Sequence, residues 1–268
     1  MVNNKFIMEN IMATQNDWNV ELYLKFRNER TQPSIDLVSG ISVESPKSII
    51  DIGCGPGNST QVLAGRWPAA GITGLDNSPS MIEKAKKDYP SQEWILADVM
   101  DVDSSVKYDI VFSNATIQWI PDHKQLIDAM WKLVNDNGAL AVQMPLYNAM
   151  PVCGAVERAA SGRWPQLDSV MEIFTFHEPG YYYDVLSFLS EKVNMWVTDY
   201  LHIMDSHKSI LEMTKSAGLK PYMDRLKSED DKHEFESEVL RNIKEAYPAQ
   251  ENRRVIFPFK RLFFIAYK

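Results

Sequence analysis

The stretch from Ser48 to Asn58, Ser-Ile-Ile-Asp-Ile-Gly-Cys-Gly-Pro-Gly-Asn, constrains this chain more than any other. Ser48, Ile49, Ile50 and Ile52 form a short β-branched run that suits a buried strand. Gly53, Gly55 and Gly57 follow at alternate positions. Glycines here let main-chain groups come close to a ligand, at an entropic cost that a plain turn does not require. A dinucleotide fingerprint needs glycines at 53, 55 and 58, and position 58 is Asn. The pattern is instead Asp-x-Gly-x-Gly-x-Gly from Asp51 to Gly57, which disfavours a nicotinamide dehydrogenase.

From Lys47 onward the chain repeats strand, turn and helix. Strand one spans 48–52. Asn58 or Ser59 caps a helix that runs to Arg66. Residues 72–75 form strand two, with Asp76 at its C-terminal end, and Ser78 caps a helix over 79–87. Residues 94–97 form strand three, ending in Asp98, and 108–113 form strand four. A helix over 122–134 is closed by Asn137-Gly138, and 140–144 form strand five. Residues 193–204 and 255–267 supply two further strands. Residues 206–247 are helical by periodicity, and 146–190 read as short helices and loops. The fold expected is α/β: a doubly wound, mostly parallel seven-stranded sheet with helices on both faces and a mainly helical cap. Residues 17–145 form its core with N-terminal helices. The cap comprises 146–190 and 206–250, and 191–205 and 251–268 carry the final strands. An aromatic helical face, Trp18, Leu22, Tyr23 and Phe26, precedes the core, then a second helix over 35–43. Residues 1–16 read as a frayed extension.

Ligands of such sheets sit at the C-terminal ends of the strands. The 268 residues carry a formal charge of −8, which disfavours tight non-specific nucleic-acid binding. No apolar run approaches the roughly 18 residues of a membrane span. The two cysteines, Cys54 and Cys153, make no metal-ligand set, and no signal peptide is legible, so a cytoplasmic setting is expected. The implied partner is a small molecule, and the chain a monomer or dimer.

The Asp51–Gly57 pattern resembles motif I of the Rossmann-like S-adenosylmethionine methyltransferases. That resemblance implies a cofactor site of Asp51, Gly53, Cys54, Gly55, Gly57, Asp76, Asn77, Asp98, Val99 and Asn114. The glycine turn would lie against the methionine end, with Asp51 supporting it. A carboxylate at the end of strand two can accept both ribose hydroxyls, which suits Asp76. Asp98, with Val99 beside it, can accept from the adenine amino group. Asn114 ends strand four, where the methyl group should emerge, and Gln118 and Trp119 could line that pocket. Asp122 caps the next helix, and His123 reads as an exposed helix-start residue.

Further motifs narrow the resemblance. They are Asp17-Trp18-Asn19, Arg66-Trp67-Pro68-Ala69-Ala70, Asn114-Ala115 with Gln118-Trp119, Pro121-Asp122-His123, Ala141-Val142-Gln143-Met144-Pro145, Tyr182-Tyr183-Asp184 and Arg261-Leu262-Phe263. Together they resemble the trans-aconitate 2-methyltransferase family, which esterifies one carboxylate of a tricarboxylic acid. Leu146 departs from it, where a polar or acidic residue is expected, and so does Glu212-Met213-Thr214, which lacks an expected tryptophan. A carboxylate is already ionised at pH 7 and needs no general base, so none is nominated. The pocket must hold anionic substrate, and arginine has the best geometry for that. Arg261, Trp119, Tyr182 and Tyr183 are the substrate-pocket residues expected, with His207 or Arg30 as further contributors and Arg253-Arg254 as a solvated pair. The alternatives are a different small-molecule acceptor, or a protein that binds S-adenosylmethionine without turnover.

Overall fold

The structure, a computed structural model, describes residues 25–268. The expected extension over 1–16 and the aromatic stripe through Tyr23 lie outside those residues. The first described helix, α1, is Arg27–Gly40, with Pro33 inside it. The sequence separates an aromatic helical face through Phe26 from a second helix over 35–43, and the structure has a single helix across the gap between them. The helix runs through Pro33 and forgoes the one ladder hydrogen bond that proline, without an N–H, cannot donate.

The core then alternates as expected: β1 (Ser48–Ile52), α2 (Asn58–Arg66), β2 (Gly71–Asp76), α3 (Pro79–Asp88), β3 (Glu93–Leu96), β4 (Tyr108–Asn114), α4 (His123–Lys132) and β5 (Val134–Pro145). Ser78 caps α3 by accepting from Met81 N–H. Asn58 and Ser59 do not cap α2. Gly57 holds that position, at φ 94°, with no side-chain cap. Asn137-Gly138 closes no helix. α4 ends at Lys132, and the pair lies inside β5, where the pairing shifts from Tyr108↔Val134 to Ile110↔Ala139. Asn137 takes φ 64°, its N–H donates to Lys268 O, and a Cβ on Gly138 would sit 2.7 Å from Asp109 O. The same dipeptide that ends helices here makes an irregularity in a strand.

Beyond β5 lie α5 (Pro151–Ala160), α6 (Pro179–Ser187), β6 (Lys192–Met204), α7 (His207–Lys215), α8 (Lys220–Arg225), α9 (Glu229–Ala246) and β7 (Val255–Tyr267). The expected continuous helical stretch over 206–247 is therefore three helices, interrupted at Gly218 and at Leu226–Ser228. The seven strands run in the order β3-β2-β1-β4-β5-β7-β6. β7 is antiparallel to both its neighbours, and the other described pairs are parallel. This is the doubly wound, Rossmann-like arrangement.

Side chains alternate across a sheet, and the two faces carry different cores. Ile49, Phe112, Ala141, Phe263 and Ile265 pack with Leu37 and Val38 of α1 and Leu63 of α2. Ile50, Val111, Val142, Leu262 and Phe264 pack on the other face with Leu126 and Ile127 of α4 and Tyr182 and Leu186 of α6. A third cluster joins α5, α7 and α9 into the cap, through Val152, Val156, Ile210, Phe235 and Val239. Phe263 is fully buried and stacks on Trp196, centroids 4.8 Å apart. Phe263→Ala should cost about 3–5 kcal/mol, read as a lower denaturation midpoint with an unchanged slope.

Candidate cofactor and acceptor site

β1 delivers Asp51 into the interior and then hands the chain to the glycine turn. The Asp51 carboxylate is fully buried, and its Oδ2 accepts from Ser59 Oγ at 2.6 Å and Thr60 Oγ1 at 2.7 Å. Those two hydroxyls sit in the first turn of α2, so one carboxylate ties strand to helix. Its Oδ1 meets no donor among the described residues. Burial pushes the Asp51 carboxyl up to about 6; the two hydroxyl bonds oppose this, and the nearby Asp76 charge adds to it.

Gly53, Gly55 and Gly57 all take positive φ. A Cβ on Gly53 would overlap the Thr116 side chain, whereas one on Gly55 would meet nothing within 4 Å. The open side of Gly55 is the direction in which a ligand can approach main chain. Gly53 and Cys54 N–H both donate to Leu75 O, and Gly55 N–H donates to Asp76 Oδ2 at 2.9 Å. Ser78 N–H donates to Asp76 Oδ1 at 2.8 Å, so the carboxylate at the end of β2 is held from both sides. Cys54 is buried, and burial raises its thiol well above the usual range, keeping it protonated. Asn77 is exposed, and Val99 is buried in the core of the opposite face. Asp98 is half-buried; its Oδ1 accepts from Met100 N–H at 2.8 Å and caps a short 3-10 turn.

Register and alternation place Asp76, Asn114, Gln143 and Arg261 on the face of the sheet that carries α1 and α2, in order along the C-terminal strand ends. Gln143 is the register partner of Asn114, and its carbonyl accepts from Ala115 N–H at 2.9 Å. Arg261 is 4% exposed, and its Nη1 donates to Gln143 Oε1 at 3.4 Å. Its guanidinium lies 4.4 Å from the Phe259 ring centroid. Asn114 Oδ1 and Gln143 Nε2 are buried without partners among the described residues. His202 has a pKa lowered to about 4, by burial first and then by the Arg261 charge, so it adds no positive charge at neutral pH.

The tyrosines expected in the pocket lie elsewhere. Tyr182 is fully buried on the opposite face, stacked on Phe264, with its hydroxyl 2.6 Å from His123 Nδ1. Tyr183 is 54% exposed. His123 is itself fully buried rather than exposed at a helix start. Its Nε2 must donate to Ile117 O at 2.8 Å, so Nδ1 accepts from Tyr182. His207 faces Tyr247 O at 2.7 Å, and Arg30 donates to Ser216 Oγ at 2.5 Å. Arg253 and Arg254 are exposed. Trp119 follows β4, half-buried, with its ring 4.7 Å from Phe174 of the cap. Thr175 N–H donates to Gln118 O at 2.9 Å and joins the cap to that loop. Leu146 packs into the core of the opposite face, away from Arg261. A surface hollow of about 560 Å³, lined by Met150, Gly154, Arg158 and Glu245, shares no residue with the row of strand ends.

Sequence reading gave Gln143 no role. Its signal was a buried amide inside an apolar strand, Ala141-Val142-Gln143-Met144, where a polar residue needs a reason. The residues present suit S-adenosylmethionine. The unpartnered acceptors Asp51 Oδ1 and Asn114 Oδ1 suit its cationic end, and the open flank of Gly55 admits close main-chain approach.

Two outcomes follow. Asp51 binds its proton more tightly when folded, so its ionisation removes stability as pH rises from 3.8 through about 6. Asp51→Asn should therefore gain on the wild type across that window by up to about 3 kcal/mol, read as a widening difference in melting temperature. Tyr182→Phe leaves His123 Nδ1 without its donor and should cost about 1–3 kcal/mol of stability, with KM for any acceptor unchanged.

The sequence model of a methyltransferase domain family matches residues 49–138. The trans-aconitate 2-methyltransferase of Escherichia coli strain SE11 is 38% identical, over 93% of this chain and 98% of that protein. The Shigella flexneri protein of the same name is likewise 38% identical over 93% and 98%. Among solved structures, the YcgJ protein from Bacillus subtilis aligns with a TM-score of 0.58 at 9% identity, over 88% of this chain and 98% of that one. A coclaurine N-methyltransferase bound to N-methylheliamine and S-adenosylhomocysteine aligns with a TM-score of 0.55 at 16% identity, over 89% and 72%. These two likenesses speak to the fold. Sequence identity over nearly the full length decides the family: this chain is an S-adenosylmethionine-dependent methyltransferase and belongs to the trans-aconitate 2-methyltransferase family.

Proposed function

We propose that this enzyme esterifies one carboxylate of a small polycarboxylic acid, with trans-aconitate as the first substrate to test. The observation that carries the proposal is the buried Arg261 guanidinium, on the same sheet face as Asn114 and Asp76. A protein of formal charge −8 needs such a local cation to attract an acid. The relatives named for trans-aconitate methylation support the same choice.

In this reading Asp51, Asn114 and the Gly53–Gly57 turn hold the methionine end of the cofactor, Asp76 and Asn77 its ribose, and Asp98 and Val99 its adenine. Bound S-adenosylmethionine supplies an electrophilic methyl group on a sulfonium. The chain's own contribution is placement. Arg261 anchors the acid by charge-assisted hydrogen bonds. Trp119 and Phe174 form an aromatic wall that excludes water from the carboxylate. Held in line, an ionised carboxylate needs no proton removed, and proximity with desolvation lowers the barrier. His123 takes no proton from substrate, because both its ring nitrogens are committed inside the core.

The test is transfer from methyl-labelled S-adenosylmethionine to a panel of di- and tricarboxylic acids, with base-labile label as the mark of a methyl ester. Arg261→Ala should raise KM for trans-aconitate by about 10- to 100-fold, with cofactor affinity unchanged. Arg261→Lys should recover little, because lysine lacks the planar fork. Label that survives mild base, or none on any acid, would sink the reading.

A further inference from the structure

Gln143 is fully buried near the end of β5, in a strand otherwise built for packing. Chemistry fixes which way its amide points. Arginine only donates, so the Gln143 atom facing Arg261 must be the oxygen. At 3.4 Å that bond is long, and it serves to orient the amide. The Gln143 NH2 group is thereby turned the other way, and Nε2 meets no acceptor among the described residues. Native interiors keep few such groups, and each costs stability.

The neighbour sharpens the point. Asn114, the register partner of Gln143 on β4, carries a buried Oδ1 with no donor among the described residues. Two adjacent amides, one lacking an acceptor and the other a donor, do not satisfy each other. Along the strand ends the row therefore reads acceptor, donor, guanidinium. A cation beside Asn114 Oδ1 and an anion beside Gln143 Nε2 would satisfy both orphaned atoms.

We infer that Gln143 Nε2 and the Arg261 guanidinium together hold one carboxylate of the acceptor acid, which makes Gln143 a specificity-determining residue of this reaction. The inference rests on the carboxylate reading above. A carboxylate offers about four lone-pair sites and can take donors from both side chains at once. A protonated amine offers none, and a neutral alcohol oxygen makes only the weaker bond that lacks a charge on the acceptor. Glutamate at 143 would set a negative charge against the acid and repel it. Methionine would keep the volume and remove the donor.

The experiment compares wild type, Gln143→Met and Gln143→Glu. Trans-aconitate binding is measured by calorimetry on each protein saturated with S-adenosylhomocysteine, S-adenosylmethionine binding is measured separately, and turnover is measured on the acid panel. Both variants should keep the wild-type cofactor affinity within about twofold. Gln143→Met should weaken trans-aconitate about tenfold, as loss of one charge-assisted bond, and Gln143→Glu about a hundredfold or more, as like charges meet. Unchanged acid affinity in the Met variant overturns the inference; if the wild type still methylates the acid, the carboxylate reading stands. Weakening of cofactor and acid alike also overturns it, since Gln143 would then serve the cofactor. Failure of the wild type to bind or methylate any acid overturns both. Should the Glu variant fail to fold, the Met variant decides alone.

Discussion

A buried carboxylate holds the turn on which the site is built. Asp51 leaves the middle of the sheet and takes hydroxyl bonds from Ser59 and Thr60 in the first turn of α2. With strand and helix tied, the glycines between them have no freedom to straighten. Leu75 O takes Gly53 and Cys54 N–H, and Asp76 takes Gly55 N–H, so β2 is drawn into the same knot. Such an arrangement carries a penalty at neutral pH, because a fully buried carboxylate prefers its proton. Strongly perturbed groups of this kind gather at functional sites, where a ligand's charge can offset the strain.

The sheet then divides labour between its faces. One carries the acids, amides and guanidinium at the strand ends, packed under α1 and α2. The other carries apolar core, with one buried histidine–tyrosine pair that fixes the loop after β4. A family motif spread along the sequence is therefore split in space. Tyr182 and Arg261 both read as pocket residues in the chain, yet they lie on opposite sides of the same sheet.

What was legible in the sequence was local. Strands β1, β2, β4, β6 and β7 end within a residue or two of their expected limits, because β-branched runs and glycine or proline punctuation mark them directly. The glycine turn and the acids at strand ends were legible for the same reason. The misreadings arose where a local signal had two meanings. Asn137-Gly138 ends helices or bends strands, and only its neighbours Asp109 and Lys268, distant in sequence, decide. Tyr182 reads as a pocket residue and His123 as an exposed helix start until α6 folds against α4. The Gln143–Arg261 pair spans 118 positions in sequence, and no window along the chain brings it into view.

The position of β7 has a consequence for the order in which the enzyme becomes an enzyme. A chain made from its N-terminus has β1 to β5 in hand, with the glycine turn and its acids, long before Val255–Tyr267 is synthesised. Until then β5 is an open sheet edge, exposed to wrong pairing. β7 must slot between β5 and β6, closing contacts of very long sequence separation, which fold slowly. It carries Arg261 with it. The half that carries the glycine turn and its acids can form early and locally, whereas the row of strand ends gains its guanidinium only once the last strand has docked.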